Sequence, residues 1–291
     1  MTATPTYLER LAARSASVGT VLCLGIDPDI AGLPDKFSRD LAGIEQFARL
    51  LIDVAAPHAA AVKPNLAFFE AFGSAGIAAL ERVRAAIPAG IPVIADAKRG
   101  DIGSTAARHA VALFDTLGAD AVTLNPYLGE EALGPLLERR DRFAYVLCRT
   151  SNPGAAELQG LELSSSDTAP AEPLYARVAR RAALWGPGGT VGLVVGATAP
   201  DELARIRTIA PGLAFLVPGV GAQGGEAERV LRAGQAMAAP AGGRPGGGLL
   251  VNVSRGISGA GAGPGGPGPL DPAERVGAAA ADWARRLPVL P

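Results

Sequence analysis

Gly90-Ile91-Pro92-Val93-Ile94-Ala95-Asp96-Ala97-Lys98-Arg99-Gly100-Asp101-Ile102 is the stretch that decides the fold. Its first half, Ile91–Ala95, is a short apolar run that reads as a buried strand. Its second half sets four charges, Asp96, Lys98, Arg99 and Asp101, at the C-terminal end of that strand. On a strand, Asp96 and Lys98 stand two apart and point to the same side. A carboxylate beside an ammonium in a partly dry place is costly unless the two are paired or used in chemistry. Taken alone, six such residues read first as a solvated loop of alternating charge, so the rest of the chain has to decide.

Working outward, further apolar runs alternate with helical patterns. Strands are expected at 20–26, 59–62, 91–95, 121–124, 144–147, 191–195, 213–217 and 249–253. Between them, Leu41, Ile44, Phe47, Leu51 and Val54 recur at helical spacing. Helices are also expected at 68–87, at 104–117 with Ser104 as its cap, and near 130–139, 173–185, 200–209, 224–237 and 271–287. A short amphipathic helix carrying Glu9, Arg10 and Arg14 precedes the first strand. Eight β/α units in 291 residues predict a (β/α)8 TIM barrel, a single α/β domain over 1–291. A doubly wound open sheet is the alternative, but no glycine-rich dinucleotide turn follows the first strand. Three connections break the rhythm. Residues 149–172 form a long Ser/Gly/Pro-rich link of the size that functional lids have. Residues 238–248 and 258–269 are Gly/Pro/Ala-rich and are expected to be mobile surface loops.

Composition narrows the function. Lys plus Arg number 27 against 28 Asp plus Glu, without the basic excess of a nucleic-acid surface. Cys23 and Cys148 both lie in apolar runs, which favours buried thiols over a disulfide framework or zinc site. No apolar run is long enough to span a membrane, and the N-terminus has no signal-peptide core, so a cytoplasmic location is expected.

In a barrel, reactive side chains gather at the C-terminal strand ends. Here those ends carry Asp27, Lys63, Asp96, Lys98, Asn125, Ser151, Gln223 and Arg255. The loop after the seventh strand, Pro218-Gly219-Val220-Gly221-Ala222-Gln223-Gly224-Gly225, is rich in glycine, and the eighth strand ends in Asn252-Val253-Ser254-Arg255-Gly256-Ile257. Either alone reads as a tight turn. At these two strand ends together they predict a phosphate site, with backbone amides approaching the oxygens and Arg255 offering a bidentate fork.

These segments resemble the orotidine 5′-phosphate decarboxylase family, in the form whose core motif reads Asp-Ala-Lys-Arg-Gly-Asp-Ile. The resemblance runs from Leu22 to Ile257 through Gly25-Ile26-Asp27, Val62-Lys63-Pro64-Asn65 with Phe68-Phe69-Glu70, Asp96–Ile102 with Thr105, Thr150-Ser151-Asn152-Pro153-Gly154, and the two glycine-bearing loops. It implies that Asp27 and Lys63 contact the ribose and that Lys63 also orders the neighbouring carboxylates. It places Asp96 against the substrate carboxylate, with Lys98 delivering the proton to C6 of the pyrimidine. Asp101, Ile102 and Thr105 would come from the other subunit of a homodimer, Asp101 completing a Lys-Asp-Lys-Asp array. Ser151 would read the pyrimidine amide edge, Gln223 would bridge base and phosphate, and Arg255 would hold the phosphate. Past Ile257 the family's usual helical continuation is displaced by 258–269.

The implied chemistry suits these residue types. Loss of CO2 from C6 leaves an electron pair in the ring plane, beyond the reach of the π system. No motif implies a metal or cofactor, so a fixed ammonium must stabilise that charge and can then protonate it. A phosphosugar decarboxylase on the same barrel would need magnesium and a further acidic ligand, where the second strand ends in Lys63-Pro64-Asn65. A Schiff-base aldolase would need a desolvated lysine free of flanking carboxylates. A nucleotide-binding protein without activity would have no need of all four charged residues.

Overall fold

The computed structural model describes residues 4–165, 170–221, 224–261 and 271–290. Its barrel strands, in chain order, are β1 (Leu22–Ile26), β2 (Ala61–Pro64), β3 (Ile94–Arg99), β4 (Ala121–Leu124), β5 (Phe143–Arg149), β6 (Val191–Val195), β7 (Ala214–Pro218) and β8 (Leu249–Val253). They form one eight-stranded sheet in the order β2-β1-β8-β7-β6-β5-β4-β3, with every paired neighbour parallel. Parallel bridges Val62–Val93 and Asn65–Asp96 join the two outer strands and close the barrel. The sequence therefore gives the correct architecture, and 121–124, 191–195, 249–253 and the helix Pro200–Ile209 fall where expected.

Several boundaries differ for physical reasons. The third strand runs through the charged motif to Arg99, because tertiary pairing with β4 resumes at Arg99–Leu124. Ser104 is not a cap: Ile102 takes the capping position with extended backbone, no side chain bonds the first turn, and the helix Gly103–Ala110 continues as a π-helical stretch, Val111–Thr116. The expected helix 68–87 is two helices, Ala67–Glu70 and Gly73–Ala86. The long link after β5 carries a short helix, Ala155–Gln159, and a two-residue ribbon pairing Glu162–Leu163 with Glu172–Pro173. Buried Glu172 anchors the end of this link to Arg177 and Arg180 of the next helix, Leu174–Ala182. Residues 238–248 are not simply a surface loop. Ala241 and Gly246–Gly248 are buried, the amides of Ala238 and Ala241 bond to the carbonyls of Pro211 and Gly212, and Gly246 lies against Ser15 and Val21. The segment 258–269 lies outside the described residues from 262 onward.

Strand alternation sorts the barrel interior into layers. Cys23, Ala61, Ile94, Ala121, Tyr145 and Leu250 belong to an inner apolar cluster, separate from the larger one between strands and helices. Two residues further along four of these strands come Lys63, Asp96, Thr123 and Asn252, so the interior turns polar at its C-terminal mouth. The opposite mouth is plugged by the N-terminal helix Tyr7–Val18. Tyr7 stacks on Phe143 at 4.8 Å between centroids, and its hydroxyl meets that of Tyr145 at 3.2 Å. Arg10 pairs with Asp120 at 2.5 Å, and Asp120 also accepts the amide of Val93 at 2.8 Å.

The plug makes a direct prediction. Tyr7 is 1% exposed, so Tyr7→Ala should leave a cavity beneath the barrel and cost about 3–5 kcal/mol, the range for truncating a buried large aromatic. Urea denaturation midpoints, converted with a shared slope, measure this. A loss below about 1 kcal/mol would mean that the helix only rests on the barrel.

Candidate active site

The site is built on Asp96. Its residue is 8% exposed, and its two oxygens serve two lysines: Oδ2 accepts from Lys63 Nζ at 2.5 Å and Oδ1 from Lys98 Nζ at 2.6 Å. Oδ1 also accepts the Thr123 hydroxyl at 2.9 Å. Lys63 is 4% exposed, whereas the Lys98 side chain is half exposed and faces the open mouth. Strand register explains the meeting of these groups. Gly25 pairs with Lys63, and the Asn65–Asp96 bridge brings the ends of β2 and β3 together. Burial alone would lower the pKa of the Lys63 ammonium, but Asp96 and Asp27 outweigh it and hold that value above the ordinary lysine value. Burial would likewise raise Asp96, but Lys63 and Lys98 outweigh it and hold the carboxyl well below the usual range. Both shifts favour the fully charged arrangement.

The mouth opens into a cavity of about 480 Å³, the size of a small-molecule site. One wall is polar, with Asp27, Lys63, Asp96, Lys98, Thr123 and Asn252; the facing wall has Leu147, Val194 and Leu216. Ser151 and Arg255 line the same cavity. Among the sequence candidates, the structure thus brings together Asp27, Lys63, Asp96, Lys98, Ser151 and Arg255. Gln223 lies outside the described residues. Asp101, Ile102 and Thr105 do not line this chain's own cavity. Past Gly100 the chain leaves the mouth; Asp101 Oδ1 accepts the amide of Ile102 at 2.8 Å, and Ile102 is 58% exposed.

The remaining motif residues hold the frame. Arg99 pairs with Glu70, locking the motif to the helix after β2. Ser151 packs tightly against Gly196, and Gln159 Oε1 accepts the amide of Thr150 at 2.8 Å, setting the loop after β5. Gly25 permits the close approach of β1 and β8: a Cβ there would lie 1.8 Å from Ser254 Oγ. In the loop after β7, Gly219, Gly221 and Gly224 have φ of 96°, 79° and 86°, and the turn is closed by the amide of Gly225 on the carbonyl of Gly219. Arg255 is exposed at the rim of the cavity and makes no side-chain bond among the described residues.

Two cavity residues escape a reading of motifs. Thr123 sits in an ordinary apolar run, and only the period-two alternation on β4 signals that it shares a layer with Asp96. Asn252 lies in the last barrel strand, where an asparagine carries no motif signal. It is 8% exposed, and its Oδ1 and that of Asp27 are buried polar atoms with no hydrogen-bond partner among the described residues. Buried unpaired acceptors at a cavity wall are what a ligand with hydroxyl or N–H groups would satisfy.

A parallel eight-stranded barrel whose cavity at the C-terminal strand ends carries a charged array from β2 and β3, with Arg255 at its rim, has the architecture of a barrel enzyme. The comparisons with known proteins make this particular. A sequence profile of the "Orotidine 5'-phosphate decarboxylase / HUMPS family" matches residues 20–265, and the chain belongs to that family. The orotidine 5′-phosphate decarboxylase of Herpetosiphon aurantiacus is 46% identical over 252 residues, 86% of this chain and 88% of its own length. That of Thermomicrobium roseum is 50% identical over 253 residues, 86% of each chain. Among solved structures, Leishmania donovani UMP synthase superposes with a TM-score of 0.80 at 41% identity, covering 97% of this chain and 56% of that one, so this chain spans about half the length of that protein.

The array has a pH signature. A carboxyl held below its ordinary value contributes stability that is complete above that value and is lost as pH falls through the folded one. Lys63 contributes in the opposite sense, its share being lost only as pH rises above the ordinary lysine range. On lowering the pH from about 5 to about 2.5, the melting temperature of the wild type should therefore fall more steeply than that of Asp96→Asn. Parallel slopes would mean that Asp96 carries no such linkage.

Proposed function

We propose that this protein decarboxylates orotidine 5′-phosphate to uridine 5′-phosphate without a metal or organic cofactor. The observation that carries this reading is one buried carboxylate shared by two lysines, placed in the same cavity as the Arg255 rim, in a chain of the decarboxylase family. The phosphate would lie against the loops after β7 and β8, held by Arg255 and by glycine amides, with Gln223 bridging to the base. Asp27 and Lys63 would take the ribose hydroxyls, and Ser151 the amide edge of the pyrimidine. The C6 carboxylate would then face Asp96. As the C6–carboxylate bond breaks, CO2 leaves and the electron pair stays on C6 in the ring plane. The Lys98 ammonium stabilises that pair and donates its proton to it. Repulsion between Asp96 and the bound carboxylate is relieved as CO2 departs, and the remote phosphate supplies binding energy for ordering the site.

The active unit in this reading is a homodimer in the cytoplasm. Among the described residues Lys98 pairs with Asp96 alone, which it shares with Lys63, so a second carboxylate beside it would complete the alternation of charge. Asp101 would supply this across a two-fold axis, and Ile102 and Thr105 would enter the same neighbouring site. Ile102, Tyr127 and Leu128, at the ends of β3 and β4, are 58%, 83% and 49% exposed, an apolar margin suited to a second copy. Among the described residues, no helix is long and apolar enough to cross a membrane, and no group of three or more His, Cys, Asp or Glu side chains is placed to hold a metal ion.

Two measurements test this. Purified protein should convert orotidine 5′-phosphate to uridine 5′-phosphate at the same rate with and without a chelator. Activity abolished by the chelator and restored by magnesium would instead select the phosphosugar-type chemistry. Separately, inactive Lys98→Ala and Asp101→Ala proteins should regain activity on mixing. Each mixed dimer has one site with both defects and one with neither, so random exchange restores about a quarter of the sites. A mixture that stays inactive after verified exchange would place Asp101 within its own chain.

A further inference from the structure

We propose that Thr123, through a single hydroxyl, is the positioning residue that aims Lys98 at the reacting carbon. This deepens, and rests on, the decarboxylase reading above. Lys98 has a φ of 47° and is the only non-glycine residue with positive φ among the described residues. A lysine there is strained, and such strain persists only where surrounding contacts impose it. The cause lies in the pairing of β3 with β4. Ala95 is opposite Val122 and Arg99 is opposite Leu124, so Asp96, Ala97 and Lys98 together face the single residue Thr123. The bulge takes Ala97 and Lys98 out of the strand ladder, and their amides need other acceptors.

Thr123 Oγ1 accepts both, from Ala97 N and Lys98 N at 3.0 Å each, and donates to Asp96 Oδ1 at 2.9 Å. A hydroxyl has one hydrogen to give and two lone pairs, so its capacity is filled. The directions follow as well. Amides only donate and an ionised carboxylate only accepts, so the hydroxyl hydrogen must point at Asp96. Lys98 is thereby held at both ends. Its backbone amide is tied to Thr123 Oγ1, and its ammonium to the Asp96 oxygen that the same hydroxyl contacts. β-Branching restricts the χ1 rotamer of Thr123, which makes the tether stiff. Without it, Lys98 would keep its charge but lose its bearing, and misplacement on the scale of an ångström costs turnover steeply.

The test uses two pairs of variants that differ only in the hydroxyl: wild type against Thr123→Val, and Thr123→Ser against Thr123→Ala. In each pair, loss of the hydroxyl should lower kcat about 100-fold with little change in KM, and Thr123→Ser should recover most of the wild-type rate. Hydrogen exchange of the unliganded protein gives a readout independent of activity: the amides of Ala97 and Lys98 should exchange faster in Thr123→Val and Thr123→Ala than in their hydroxyl partners. If Thr123→Val does not fold, the smaller Ser/Ala pair decides. Equal kcat within a pair, a loss confined to KM, or unchanged exchange at these amides would overturn the proposal. A wild-type protein inactive on orotidine 5′-phosphate would sink the decarboxylase reading alone, because the exchange comparison would still report on the tether.

Discussion

One carboxylate, that of Asp96, sits between two ammonium groups at the floor of the mouth, and much of the upper barrel is arranged around it. A buried charge is tolerated only when paired and fully hydrogen-bonded, and removing a single partner from such an arrangement is costly. Asp96 has three side-chain donors, drawn from β2, β3 and β4. The same three strands include the pair, β2 and β3, that closes the barrel through bridges rather than a continuous ladder. Closure and charge placement therefore depend on one another. A slip of β2 by one residue would turn Lys63 outward and leave Asp96 without its most buried partner.

Rigidity and chemistry are separated along the barrel axis. Below, aromatic stacking of Tyr7 on Phe143 and the Arg10–Asp120 pair seal the strand origins. Further round that face, Arg207, 3% exposed, stacks on Phe215 at 3.6 Å and donates to the carbonyls of Ala210, Leu213 and Gly234. Above, the cavity holds the strained backbone of Lys98 and the acceptors on Asp27 and Asn252 that have no partner among the described residues. Left-handed backbone at a lysine costs roughly 1–2 kcal/mol, which a well-packed lower half can support.

The sequence by itself determined the barrel, because eight apolar runs alternating with helical patterns leave few other architectures, and it marked the polar side chains at the ends of β1, β2, β3, β5 and β8 that the structure gathers at one cavity, because a polar group is conspicuous at the end of an apolar strand. It did not show that Ala241 and Gly246–Gly248, within residues 238–248, are buried, since Gly and Pro mark turns whether those turns face solvent or protein. Nor did it show that Thr123 and Asn252 line the cavity, because a threonine or asparagine within a strand is unremarkable until its neighbours are known. Tertiary structure alone decided these points: which of two strand faces looks into the cavity, and which amides the bulge in β3 leaves without partners, are properties of pairing between segments far apart in the chain. The same limit applies to Asp101. Its motif sets its spacing from Lys98, but the path of the chain beyond Gly100 carries it out of its own cavity.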